Sequence, residues 1–393
     1  MLSSRAALAT MLVINAVAVG IAVALLGARE FDLEVYRVGA RTWLDGGDLY
    51  GPMLVDFVGA SFPFTYPPVS APLFVPLALL PRAVAGTLVI VVSAVLAVAV
   101  AYRVLLSLDA FPGDRRKRLL VASALCTAAL EFEPFRATLM AGQVNVVLMA
   151  LVVFDCLVPA PRWPRGLLIG IAAAIKLTPA VFVLYLLLRR DFRAALTAGL
   201  SFLAVTAVGV AVAPGESARY WLDLMWRTDR PGSPVYAGNQ SLRGLLARFG
   251  LTGSTQTLLW ALASLLVLVL AVLAMRRLAP PAALVANAAA GLLISPISWT
   301  HHWVWVLPAI LVLAAGRRWY CAGLLTAAVL LGPLLPVPNT GLVELDWTWW
   351  QHLLGNSYVE LAVLGLAVTA LSRRPSPAPL APPQPRQPQP SGG

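Results

Sequence analysis

The sequence predicts an all-α polytopic membrane protein, and three observations carry that prediction. Of 393 residues, 59% are hydrophobic and 12% charged, whereas a soluble domain carries about a quarter charged residues, and the mean hydropathy is +0.80. The apolar residues are gathered into long runs of Ala, Leu and Val rather than alternating segments of about ten residues, which would mark a membrane barrel. Between the runs, the connections alternate between short basic turns and longer polar-aromatic loops. With no water in hydrocarbon, such a chain satisfies its backbone N–H and C=O groups as helices. Cys126, Cys156 and Cys321 all fall in apolar runs at spacings that suit neither a disulfide framework nor a zinc site, so they read as small helix residues.

Apolar runs begin near Ala6, Val84, Leu119, Val144, Gly166, Thr178, Ala194, Thr257, Pro281, Trp303, Trp319 and Tyr358. The first exceeds the roughly 7–15 apolar residues of a signal-peptide core and lacks an A-x-A site, so it is expected to stay as an uncleaved helix. The turns "DRRKR" (114–118), "PRWPR" (161–165), "RRDFR" (189–193), "MRR" (275–277), "GRR" (316–318) and "SRR" (372–374) are basic and should face the cytoplasm. The connections 27–82, 131–143, 214–256, 295–302 and 337–357 are rich in aromatics, prolines and amides and should face outward. About twelve spans in the cell membrane, both termini cytoplasmic, satisfy every cluster. The run 119–130 is short for a crossing. The run 166–188 has basic residues at both ends, which a single span cannot accommodate. Pro179 ends a helix and disfavours α geometry at Thr178, so a broken hairpin turning at "KLTP" is expected. Residues 1–372 thus form one transmembrane domain, and 373–393 a disordered proline-rich cytoplasmic tail. No internal repeat is visible.

The net charge of +11 does not point to nucleic acid, because the basic residues sit in short clusters between apolar runs, where they orient helices. Only Lys117 and Lys176 are lysines. Sorted by side, the remaining polar residues fall almost entirely on the outward surface, as an extracytoplasmic active site in a helical bundle requires. They are Asp32, Glu34, Tyr36, Arg37, "FTYPP" (64–68), Glu131, Glu133, Arg136, Gln143, Asn145, "YAGNQSLRG" (236–244) and "SWTHH" (298–302).

Each candidate has a functional and a structural reading. Asp32, just beyond the first run, is a candidate general base if partly buried, or an interfacial charge paired with Arg29 or Arg37. In an extended loop Glu34 would share its side, and the two acids would hold a divalent cation; otherwise no cofactor is expected. His301 and His302 point about 100° apart on a helix, so they do not readily chelate one metal. One would meet a phosphate or sugar while the other packs. Lys176 lies inside an apolar run, where a lysine costs about 2.5–3.5 kcal/mol on insertion scales; at the tip of a broken hairpin it would meet an anionic group such as a lipid phosphate. Gln143 and Asn145, and Asn239 and Gln240, supply amides suited to sugar hydroxyls, or ordinary helix caps; Asn239 also begins a glycosylation sequon. Tyr66 offers a ring for a sugar or lipid, or an interface anchor. Tyr36 and Arg136 complete the candidate substrate contacts.

In order, "FDLEVYRVGA", "LYGP", "FTYPPVSAPLFVPLALLP", "GQVNVVLMALVVFD", "GLLIGIAAAIKLTPAVFVLYLLLRRDFRA", "GNQSLRGLL" and "SPISWTHHWVW" resemble actinobacterial polyprenyl-phosphate-mannose-dependent α-(1→2)-mannosyltransferases. These belong to glycosyltransferase family 87 and have the GT-C membrane architecture. The resemblance spans roughly residues 8–372. It implies a lipid-linked mannose donor, a glycolipid or lipoglycan acceptor, an extracytoplasmic inverting reaction, and the first-loop aspartate, here Asp32, as base. The family's lysine–proline hairpin falls on Lys176 and Pro179, its amide motif on Gln143 and Asn145, and its histidine motif on His301 and His302. Where related GT-C enzymes often carry two acids in the first loop, this chain has Asp32 and Glu34. A transporter or flippase of a lipid-linked saccharide is the competing class. It would show polar residues along a through-path and repeated halves, whereas here they gather at one face.

Overall fold

Runs of Ala, Leu and Val between basic turns fold as the expected helices. The computed structural model describes residues 4–26, 31–55, 60–227, 230 and 232–372; the proline-rich tail and Arg29 lie outside the described residues. The first run is α1 (Ser4–Leu26). It packs on residues 115–129, where Thr127 Oγ1 donates to Asn15 Oδ1 at 2.6 Å.

The connection expected to be an outward loop is instead largely folded. It contains α2 (Phe31–Leu44), a hairpin of β1 (Pro52–Val55) and β2 (Ala60–Pro63), and α3 (Ser70–Leu79). Pro52 pairs with Pro63 across the antiparallel ladder, so the hairpin opens and closes at residues that lack an N–H. α2 buries Leu33, Val35, Tyr36 and Ala40 against α3. Arg37, also buried, donates to the carbonyls of Leu77 and Leu80, the latter at 2.8 Å, satisfying carbonyls at the C-terminal end of α3. Tyr36 stacks on Phe74 at 4.4 Å. Tyr66 belongs to this small core at 6% exposure, so the "FTYPP" turn does not lie out on the membrane as an anchor.

The bundle continues with α4 (Arg82–Ser107), α5 (Arg115–Ala129), α6 (Glu133–Ala141), α7 (Asn145–Leu157), α8 (Leu167–Ile175), a 3-10 turn Thr178–Val181, and α9 (Phe182–Leu188). Then follow α10 (Phe192–Val212), α11 (Pro214–Leu222), α12 (Leu242–Arg248), α13 (Gly253–Met275) and α14 (Pro280–Ile294). A 3-10 stretch Thr300–Trp305 leads into α15 (Val306–Ala315), followed by α16 (Trp319–Leu331), α17 (Trp349–Gly355) and α18 (Ser357–Leu371). Among the described residues α4, α10 and α13 are each long and apolar enough to cross a membrane alone, and the bent pairs α6–α7 and α17–α18 are so in combination. These helices turn leucines and valines outward, such as Val91 and Val95 on α4, Leu196, Leu200 and Leu203 on α10, and Leu258, Leu262 and Leu265 on α13. An apolar surface of that extent is not tolerated in water; this is a membrane protein. α5, at 15 residues, is about 22 Å long, short as the sequence suggests.

Small residues let α8 and α10 approach closely. At Gly170 an added Cβ would sit 2.5 Å from Ser201 Cβ and 2.8 Å from the Phe202 amide nitrogen, and backbone cannot yield as a side chain does. Gly170→Ala is therefore expected to destabilise the bundle by about 1–3 kcal/mol, seen as a lower melting temperature in detergent. α8 ends directly on Lys176, so the same variant should also lose activity.

The basic turns meet one another. Arg165 lies 3.8 Å from Asp191, Arg189 donates to the Leu278 carbonyl at 2.9 Å, and Arg277 donates to the Ser372 carbonyl at 2.5 Å. Turns far apart in sequence thus share one end of the bundle.

Candidate active site

Three chain breaks build the site. The first follows α6. Gly142 adopts φ 68° and closes the helix, its N–H reaching Leu139 and that of Gln143 reaching Thr138, a left-handed cap that glycine adopts without penalty. The chain then turns by 117° into α7, leaving Gln143 and Asn145 on the corner. The second break follows α8, where Lys176 is extended (φ −147°, ψ 125°). Pro179 cannot continue the helix ladder, and the freed Ile175 carbonyl accepts from Ser70 Oγ at 2.8 Å. The third is the 3-10 stretch carrying His301 and His302. The His301 carbonyl accepts from Asn145 Nδ2 and Thr138 Oγ1, both at 2.8 Å, which ties the histidines to the α6–α7 corner.

These breaks face a cavity of about 920 Å³, near the upper end of the roughly 300–1,000 Å³ usual for small-molecule sites. Asp32, Tyr36, Tyr66, Arg136, Gln143, Lys176, His301 and His302 all line it, so eight of the sequence candidates meet in one space. At its centre is the Gln143 amide. Its Nε2 donates to Asp32 Oδ2 at 2.5 Å, and its Oε1 lies 2.8 Å from the Tyr36 hydroxyl and 3.0 Å from that of Tyr66. Because an ionised carboxylate only accepts, this arrangement fixes which end of the amide faces Asp32. Lys176 Nζ lies 3.2 Å from Asn145 Oδ1, 3.2 Å from His302 Nε2 and 5.3 Å from the Tyr66 ring centre. The His301 and His302 rings meet edge to face at 4.7 Å.

α2 lies outside the spanning helices, and its Asp32 carboxyl is only partly exposed. Burial raises its pKa to about 6, while the Gln143 hydrogen bond and the Lys176 charge act in the opposite direction. Gln143→Glu would place a second carboxyl against Asp32. Like charges this close do not both ionise, so the acid limb of the pH–rate profile is expected to rise by at least one unit, measured between pH 5 and 9.

Several candidates lie elsewhere. The segment holding Asp32 and Glu34 is a helix, not an extended loop, so the two acids project about 200° apart. Glu34 Oε2 turns to Arg37 at 3.0 Å and Arg82 at 4.0 Å. Among the described residues no three His, Cys, Asp or Glu side chains are grouped as metal ligands, and Asp32 and Glu34 do not share one side of the chain. Asn239 and Gln240 are fully buried and brace the histidine segment. Asn239 Oδ1 accepts from the Ser298 amide at 3.0 Å, the Gln240 amide donates to the Ser298 carbonyl at 2.7 Å, and the Thr300 amide to that of Gly238 at 2.9 Å. The Asn239 sequon is thus closed to modification in the folded chain. Arg248, fully buried, locks this brace through Asn356 Oδ1 at 2.6 Å and the carbonyls of Tyr236 and Asn239 at 3.1 Å. Asn145 lies behind Lys176 rather than on the main cavity, lining a smaller pocket of about 60 Å³.

The cavity has further walls, one of them, Glu133, already among the outward polar residues but given no role there, and two arginines the sequence candidates omit. Glu133 lines it, its Oε2 accepting from Tyr358 at 3.0 Å, as do Arg227 and Arg230. The signal for the arginines was present in "WRTDRPG". Arginine clusters favour cytoplasmic turns, so two of them in a connection expected outside call for a local reason.

A membrane-embedded helical fold with a carboxylate, an amide, a lysine and two histidines around one cavity defines a membrane glycosyltransferase once the comparisons are added. The model of glycosyltransferase family 87 matches residues 64–296, and the chain belongs to that family. It is 40% identical over 385 residues, 90% of each chain, to a Mycobacterium tuberculosis protein described as a polyprenol-phosphate-mannose-dependent α-(1-2)-phosphatidylinositol mannoside mannosyltransferase. The Mycolicibacterium smegmatis protein of the same description is 40% identical over 372 residues, covering 87% of this chain and 84% of its own. A second M. tuberculosis protein, described as acting on the pentamannoside, is 34% identical over 362 residues, covering 88% of this chain and 83% of its own. No solved structure matches. The matched family segment contains Tyr66, Arg136, Gln143, Asn145, Lys176, Asn239 and Gln240, with Asp32 ahead of it and the histidines just beyond.

Proposed function

We propose that this protein transfers mannose from polyprenyl-phosphate-mannose to a glycolipid acceptor of the phosphatidylinositol mannoside class, with inversion, at the outer face of the cell membrane. The observation that carries this is the Asp32–Gln143–Lys176–His302 constellation in one cavity. The reaction needs a base for the acceptor hydroxyl and a cation for the departing phosphate. Asp32 supplies the base: Gln143 occupies Oδ2, leaving Oδ1 to take the proton. The acceptor oxygen attacks the anomeric carbon as the bond to the donor phosphate breaks, and polyprenyl phosphate leaves toward Lys176, His302 and Arg136. A single displacement through an oxocarbenium-like centre inverts that carbon. Tyr36 and Tyr66 hold the Gln143 amide. The chemistry as proposed calls for no resident cofactor.

The topology proposed with it has about twelve spans, cytoplasmic termini and tail, and a hairpin folded back at Lys176. The meeting of the basic turns around Asp191, Leu278 and Ser372 supports a common cytoplasmic end, opposite a cavity built from the polar-aromatic connections. Family membership favours the enzyme over a flippase. The test is transfer of labelled mannose by the purified protein in lipid nanodiscs, with linkage analysis of the product. A folded protein that transfers nothing from this donor, or reporter fusions that place Asp32 and His301 on different sides, would overturn the reading.

A further inference from the structure

The proposed displacement uses one phosphate, that of the donor, yet the cavity presents cations on unrelated elements. Lys176 sits at the end of α8, over the Tyr66 ring. Arg230 sits in the connection between α11 and α12, half-buried and lining the same cavity. Its Nη2 donates to the Phe64 carbonyl at 3.1 Å, and its guanidinium lies 5.6 Å from the centre of the Tyr50 ring. Tyr50 is held in turn by its hydroxyl donating to the Tyr66 carbonyl at 2.9 Å. The "FTY" turn thus carries one cation at Phe64 and another at Tyr66.

Two of the described acids of this wall are already engaged. Asp48 is taken by Arg219 at 2.7 Å and Asp223 by Arg227 at 2.7 Å. Among the described residues Arg230 is left with a carbonyl and a ring, and the rest of its planar donor set meets none of them. A half-buried guanidinium held in that way suits an anion that accepts two parallel hydrogen bonds, such as a phosphodiester.

On the reading above, the acceptor brings such a group, a phosphodiester that takes no part in the reaction and must nevertheless be held near the membrane surface while a mannose hydroxyl meets Asp32. We propose that Arg230 binds this non-reacting phosphodiester of the acceptor, while Lys176 receives the leaving phosphate of the donor. The inference rests on the proposed function and deepens it, because it divides the cavity into two anionic subsites.

The test compares wild type, Arg230→Gln and Arg230→Lys in nanodiscs, with polyprenyl-phosphate-mannose as donor and either a phosphatidylinositol mannoside or a neutral alkyl mannoside as acceptor. In Arg230→Gln the loss of kcat/KM on the phosphate-bearing acceptor should exceed that on the neutral one by about tenfold, through KM for the acceptor, the scale of one charge-assisted contact. KM for the donor should not move, and Arg230→Lys should recover part of the loss. Soluble glycerophosphoinositol should inhibit wild type and inhibit Arg230→Gln about tenfold more weakly. Equal losses on both acceptors, a shift in donor KM, or equal inhibition of wild type and variant would overturn the assignment while leaving the transferase reading intact. A wild type that transfers to neither acceptor overturns both.

Discussion

Asp32→Asn is expected to lower mannose transfer by about 10³-fold, within the range general-base catalysis supplies, while leaving the protein at least as stable as wild type. The substitution keeps shape and one acceptor: the new carboxamide oxygen can still take the Gln143 Nε2 hydrogen bond that Oδ2 takes at 2.5 Å. What it removes is basicity. Burial raises the Asp32 pKa to about 6, so the group is mostly ionised at neutral pH and yet more basic than a carboxylate in water. Below pH 6 it protonates and, on the proposed mechanism, the base is lost; wild-type activity should then fall about tenfold per unit on that limb. The stability sign is opposite. A carboxyl whose folded pKa lies above its unfolded value of 3.8 binds its proton more tightly when folded, so acidification from 7 towards 4 relieves the folded state at this group. Activity should therefore drop at pH 5 without a drop in melting temperature due to Asp32, and the residual activity of Asp32→Asn should show no limb near 6. A stable variant that transfers at the wild-type rate would remove Asp32 from the mechanism.

The bundle was legible in the sequence because hydrocarbon leaves a backbone so few choices. Runs of Ala, Leu and Val between arginine turns became helices, and Pro179 marked a real interruption. The residues that line the candidate site were legible where one violated its surroundings: a lysine inside an apolar run, an acid just beyond a first helix, two adjacent histidines at a mouth. It was illegible where the amino-acid type fits two roles. Asn239 and Gln240 have the chemistry to bind sugar hydroxyls, but equally the chemistry to satisfy backbone at a corner, and only the Ser298 pairing shows that they do the latter. Glu34 was misplaced for a geometric reason, since residues two apart share a side in extended chain and oppose each other in a helix. The central part of Gln143 was not visible in the sequence at all: it arises from 111 residues of separation between it and Asp32.

Lys176→Met should lower kcat/KM by about 10²–10³-fold, the range found when one group stabilising developing charge is removed from an enclosed site. It should also change the pH profile. Methionine matches the lysine in reach and fits the apolar ends of α8 and the following turn, so the substitution relieves a buried charge rather than opening a void. On the proposed mechanism the loss then reports on what the ammonium does for the departing phosphate. A second effect follows from position. The Lys176 charge opposes the rise in the Asp32 pKa, so its removal lets that pKa climb further, and the acid limb of the variant should move above 6. In the proposed reaction the two substitutions act on one displacement, the base at one end and the cation at the other. Combining Asp32→Asn with Lys176→Met should therefore cost much less than the product of the single losses. Lys176→Arg separates charge from shape: it keeps the positive charge with a bulkier head, so it should hold the acid limb near 6 while recovering only part of the rate. A Lys176→Met protein with wild-type kcat/KM and an unmoved acid limb would show that the cation takes no part, and the leaving phosphate would then have to be sought at Arg136 on the cavity rim.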